Sequence, residues 1–175
     1  MALEHALLVA LREHPASGLE LARRFDRSIG FFWHATHQQI YRVLARMEGD
    51  GWLTARAVTQ SGRPDKKEYA VSAAGRQALA DWLAADSDVE PLRSELAVRL
   101  RGASYGDRAA VRAQVERHLA EHGARLAAYE QMARQQYPHP DRLAGADLDR
   151  WLVLRGGVRL EEFWVGWLTE YLEAT

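Results

Sequence analysis

Apolar residues in the first half of the chain recur in two rhythms, and the change from one to the other marks the elements. Over residues 2–14, Leu3, Ala6, Leu7, Ala10 and Leu11 fall three and four apart, the spacing of one helix face, and Pro15 stops the run. Ser17 stands three residues before Glu20, the spacing of a capping box, in which each residue satisfies an orphan N–H of the other. The helix it opens, 18–27, turns Leu21, Ala22 and Phe25 inward and Arg23, Arg24 and Arg27 outward. Residues 28–35 read as a loop holding Gly30, Phe31, Phe32 and Trp33. Thr36 and Gln39 repeat the capping box, and Ile40, Val43, Leu44 and Met47 carry a third helix over 36–50, with Gly51 as its stop. There the period shortens. Residues 52–59 are rich in β-formers and 67–72 alternate around Tyr69 and Val71, joined by a turn-rich basic tip over 60–66. Ser72 caps a fourth helix, 73–85, which carries Leu79, Trp82 and Leu83.

Three helices, a basic hairpin and a closing helix make the plan of a winged helix-turn-helix: mainly α with a small β-hairpin wing. In that plan the third helix lies in the major groove of DNA while the hairpin reaches phosphates or the neighbouring minor groove. The outer face of 36–50 offers His37, Gln38, Tyr41, Arg42, Ala45 and Arg46, with no acid before Glu48. Arg and Gln edges pair with guanine and adenine, so Gln38, Tyr41 and Arg42 are the expected base readers. Arg46, Arg63, Lys66 and Lys67 are the expected phosphate contacts, and His37 adjoins the helix N-terminus, where an anion is favoured. Thr36 and Gln39 organise the helix. A merely wet helix face and a hairpin kept soluble by its charges are the plainer accounts of the same residues.

Charge adds a little to this. The formal net charge is −1, yet residues 34–67 hold 6 basic and 3 acidic side chains. The sequence has 0 cysteines, which excludes a disulfide framework and thiol chemistry. No stretch approaches the roughly 20 apolar residues of a membrane span, and residues 3–11 lack the flanks of a signal peptide. A cytoplasmic protein without a cofactor is the default expectation.

Val89-Glu90-Pro91 separates a domain of residues 1–85 from one of 86–175. In the second, 92–100 reads as a short helix. Asp107 caps a long one marked by Val111, Val115, Leu119, Leu126 and Tyr129, which Tyr137-Pro138-His139-Pro140 ends. The last helix, about 143–172, holds Trp151, Leu154, Val158, Phe163, Trp164, Trp167, Leu168 and Tyr171. Two such helices predict antiparallel packing and a homodimer interface, which also suits paired half-sites one DNA turn apart. Gly156-Gly157 within a helix points to close helix approach or to space for a ligand. Trp151, Phe163, Trp164 and Trp167 are dimer packing on one reading and a stacking site for a small aromatic effector on the other.

Two readings come from other classes. One is a winged helix used only for protein contacts. The other is a zinc-dependent hydrolase, since His118-Leu119-Ala120-Glu121-His122 has the H-x-x-E-H pattern of inverted zinc peptidases; no third ligand motif follows, and a solvated helix face explains the pair as well.

Residues 3–84 densely resemble the PadR family of bacterial regulators. The carriers are Ser17-Gly18-Leu19-Glu20-Leu21-Ala22, Gly30-Phe31-Phe32-Trp33, and Thr36-His37-Gln38-Gln39-Ile40-Tyr41-Arg42-Val43-Leu44. Glu48-Gly49-Asp50-Gly51-Trp52-Leu53, Gly62-Arg63-Pro64-Asp65-Lys66-Lys67-Glu68-Tyr69, and Gly75-Arg76 with Leu79 and Trp82 complete the set. The long last helix is similar to that of the larger members. The resemblance implies a DNA-binding homodimer, usually a repressor of neighbouring genes, often released by a small aromatic compound.

Overall fold

A computed structural model of the chain describes residues 3–25, 35–60, 63–89 and 93–175, with the backbone only at 59, 60 and 63–65. The expected aromatic loop around Trp33 and the Ser61-Gly62 turn lie outside the described residues. The chain divides into two compact units, Met1–Val89 and Glu90–Thr175.

In the first unit α1 (Leu3–Glu13), α2 (Gly18–Phe25) and α3 (His37–Gly49) are followed by β2 (Leu53–Gln60), β3 (Arg63–Val71) and α4 (Ala73–Ala84), with a two-residue β1 (Ala16–Ser17) before α2. Of the residues the helical spacing selects, Leu7 and Leu11 of α1, Leu21 and Phe25 of α2, and Ile40, Leu44 and Met47 of α3 are buried, while Leu3, Ala6 and Val43 are half-buried against them. Leu8, which that spacing leaves out, is buried as well. Each such buried side chain contributes roughly 1.5–3 kcal/mol of hydrophobic stabilisation. Trp52 packs partly buried against this core. Gly51, at φ 75°, ends α3 in the left-handed conformation that costs glycine nothing. Ser72 caps α4 by accepting from the Gly75 N–H at 3.0 Å while its hydroxyl donates to the Gly51 carbonyl at 2.6 Å, so the ends of α3 and the start of α4 are fastened together.

The hairpin corrects the expected one. The basic segment 60–66 is not a loose tip: the antiparallel ladder runs on to Gln60 opposite Arg63, with an irregularity between Val58 and Gln60. Lys66 and Lys67 therefore lie within β3, opposite Val58 and Ala57. Backbone pairing does not require apolar side chains, so a polar stretch with turn residues extends the strand. Pro64 is tolerated because β1 reaches β3 only at Glu68 and Tyr69, leaving β3 with β2 alone on that stretch. β1, at two residues, is too short to show any periodicity in the sequence.

The second unit holds α5 (Glu95–Gly102), α6 (Arg108–Gln136) and α7 (Gly145–Ala174). The short helix starts later than the expected 92–100, because the Ser94 hydroxyl caps it by accepting from the Ala97 N–H at 3.1 Å. Asp107 caps α6 as expected, accepting from the Ala110 N–H. The two long helices run antiparallel: Arg112 donates to the Leu172 carbonyl near one end, and Tyr129 packs with Leu154 and Val158 near the other. Of the glycine pair only Gly157 is on the buried face of α7; a side chain at Gly156 would meet nothing within 4 Å.

Candidate nucleic-acid interface

The exposed face of α3 is built from its first residue. Thr36, in extended conformation, accepts from the Gln39 N–H at 3.2 Å, and the Gln39 side chain accepts from the Thr36 N–H at 2.8 Å. Both side chains are thereby committed to holding the helix start. Because Ile40, Leu44 and Met47 face the core, the 3.6-residue period leaves His37, Gln38, Tyr41, Arg42 and Arg46 exposed. Tyr41 is 45% exposed and its ring lies over Gly18, so close that a methyl group there would overlap it. Glycine at the start of α2 thus lets α2 and α3 approach and sets the direction of the tyrosine. Among the described residues Arg42 has no ion-pair partner.

The expected phosphate-binding cations with described side chains, by contrast, are paired, each with an acid from a different element. Arg46 forms an ion pair with Glu4 of α1. Lys66 Nζ lies 2.9 Å from Glu20 Oε1 of α2, and Lys67 Nζ 2.6 Å from Glu48 Oε2 of α3. Arg63 opens β3, and its backbone alone is described. Glu20 also closes the second capping box, accepting from the Ser17 N–H at 2.9 Å. Those bonds, the Ser17 N–H first and the Lys66 ammonium next, hold the Glu20 carboxyl at about 2, well below the usual carboxylate range. Contact with Glu48 raises the Lys67 ammonium above its ordinary value. Between α2, α3 and β3 lies a groove bordered by Gly18, Arg23, Tyr41, Lys66, Lys67 and Tyr69. Arg23 joins the site here; its outward placement on α2 was legible, but only the fold brings it to the groove. The acids Glu4, Glu20 and Glu48 have no sequence signal as partners of these cations, since the pairs span 19 to 46 positions.

In the second unit the four candidate effector residues do not form one group. Phe163, Trp164 and Trp167 cluster, with ring centroids 5.4–6.0 Å apart. Trp151 sits three turns earlier, roughly 18 Å along the helix from Phe163, with the Arg155 guanidinium 5.9 Å from its ring. His122 is not on a solvated face. Its ring stacks on Trp164 at 5.0 Å, and its Nδ1 lies 2.5 Å from Glu161, which also accepts from Arg125 at 3.1 Å. No group of three metal-binding side chains occurs around it or elsewhere among the described residues.

Comparison with known proteins agrees with this geometry. The model of the PadR-like transcriptional regulator family matches residues 7–81, and that of the virulence activator alpha C-terminal region matches residues 92–175. The probable transcriptional regulator Rv1176c of Mycobacterium tuberculosis is 50% identical, over 99% of this chain and 97% of that protein. PadR of Bacillus subtilis in complex with operator DNA superposes with a TM-score of 0.86 at 27% identity, covering 99% of both chains. The same protein in complex with p-coumaric acid gives 0.80 at 26% identity, covering 99% of this chain and 98% of that one.

Proposed function

Because the chain belongs to the PadR-like family of transcriptional regulators, which are not enzymes, we propose that it binds operator DNA sequence-specifically and acts as a homodimeric repressor. The observation that carries this reading is the outer face of α3, capped at its start, free of acid up to Glu48, and with Arg42 exposed and without an ion-pair partner among the described residues. Gln38, Tyr41 and Arg42 read base edges, while Arg46, Arg63, Lys66 and Lys67 hold phosphates and His37 meets the backbone beside the helix start. Residues 1–85 perform this task and 86–175 dimerise and receive the effector. Leu152, Leu160 and Phe163 of α7, each about half exposed, supply an apolar stripe suited to a second copy. The operator complex of a relative at 27% identity supports DNA over a purely protein-binding role for the winged helix. Its p-coumaric acid complex supports a small aromatic effector, with the Phe163, Trp164 and Trp167 rings as the stacking surface.

The test is titration of the DNA upstream of its own gene, by gel shift or anisotropy, at several salt concentrations. Log K falls linearly with log salt, by about 0.9 for each phosphate neutralised. Arg42→Ala costs about 1–3 kcal/mol and relaxes sequence preference. Unchanged affinity and preference in that variant would remove α3 as the reading element.

A further inference from the structure

Several surface ion pairs here join neighbours on one helix, as Glu95 and Arg99 do. The pairs at the wing differ. Consecutive lysines of β3 reach to two separate helices, Lys66 to Glu20 of α2 and Lys67 to Glu48 of α3, and both border the groove that Tyr41 enters. A bare count of charge would make these acids harmful, since each sets a negative group close to where DNA phosphates must come. Geometry gives them another use. An ammonium has three N–H donors, and the acid occupies one of them. A lysine held by one donor keeps the rest for a phosphate, and its flexible stem is ordered before DNA arrives. Ordering such a side chain on binding otherwise costs affinity.

We propose that Glu20 and Glu48 are positioning residues of the DNA-binding unit: by holding Lys66 and Lys67 they set the wing in register with the recognition helix. Lys67 is steadied further by the Tyr69 ring, whose centroid is 5.5 Å from Nζ. The Glu20 carboxylate is itself fixed by accepting from both the N–H and the hydroxyl of Ser17, so the bracket is held at its base. The operator complex gains most from this register, because it needs base readers and phosphate contacts satisfied together. A random duplex needs only charge.

This inference rests on the operator-binding reading, and the wild-type titration tests that reading separately. Glu20→Gln and Glu48→Gln are measured on operator and on random duplex of equal length. Glutamine at residue 20 still accepts from Ser17, and the Glu48 side chain accepts from Lys67. Each variant weakens operator binding about threefold to tenfold, and the operator-to-random affinity ratio falls. Any loss of folded protein cancels in that ratio. Lys67→Gln is the reference: it lowers the salt slope by about 0.9, whereas the two glutamate variants leave the slope intact. Tighter operator binding by the glutamate variants, an unchanged ratio, or an unchanged slope in Lys67→Gln would each overturn the proposal. A wild-type protein with no preference for its own upstream DNA would instead overturn the operator reading.

Discussion

Removing the Glu161 carboxylate isolates what holds the two long helices in register. Its side chain is 8% exposed and accepts two hydrogen bonds, from His122 at 2.5 Å and from Arg125 at 3.1 Å. The His122 bond is buried and charge-assisted, so its loss costs about 2 kcal/mol. Arg125 is 43% exposed and can turn to water, so its bond adds no more than about 1 kcal/mol. Glu161→Ala therefore destabilises the protein by about 3 kcal/mol, equivalent to a Tm lower by roughly 6–12 °C. The carboxylate separates two apolar clusters, one around Leu168 and Val115, the other around Tyr129 and Val158. Filling the gap with apolar groups should accordingly recover most of the loss. In Glu161→Met combined with His122→Phe, the aromatic ring still stacks on Trp164 and no buried polar group is orphaned, so the double variant stays within about 1.5 kcal/mol of wild type. Urea unfolding at one fixed protein concentration measures the series, so that any self-association acts equally on every variant. A Glu161→Ala cost under 1 kcal/mol, or a double variant as unstable as the alanine variant, would refute the account of this site as a buried pair tolerated only when complete.

Three further outcomes follow from particular contacts. Gly75→Ala pushes a methyl into the Trp52 carbonyl, which Ser72 already holds at 3.0 Å, and destabilises by about 1–3 kcal/mol, whereas Gly123→Ala, with open space around it, stabilises by up to about 1 kcal/mol in the same melts. The Glu20 carboxyl is depressed to about 2 in the folded protein, so its contribution is complete above about pH 4.5 and disappears as the pH falls towards 2. Its side chain is 45% exposed, so comparison with Glu20→Gln by pH-dependent unfolding shows a difference of only about 1 kcal/mol near neutrality and none near pH 2. Phenolic acids quench tryptophan fluorescence less in the operator complex than in free protein, because linkage requires DNA to weaken an effector that releases it; equal quenching in both states would dismiss the regulatory role.

Local chemistry carried much of this protein in plain view. Capping boxes at Ser17–Glu20 and Thr36–Gln39, the caps Ser72 and Asp107, and the three-and-four spacing of Leu3, Leu7 and Leu11 and of Ile40, Val43, Leu44 and Met47 are short-range features, complete within a few residues of sequence. They determine where helices begin, which face is buried and hence which face of α3 is offered outward. The order of elements then limits the fold to a winged helix followed by a helical unit. What tertiary structure alone decided depends on residues far apart in the chain. The wing is longer than its composition implies because strand pairing is made by the backbone. Lys66, Lys67 and Arg46 face acids 19 to 46 positions away, and His122 leaves solvent because Glu161 and Trp164 come to it from α7. No periodicity encodes such pairs. They appear only when separate elements pack and the burial of one residue compels a partner for the other.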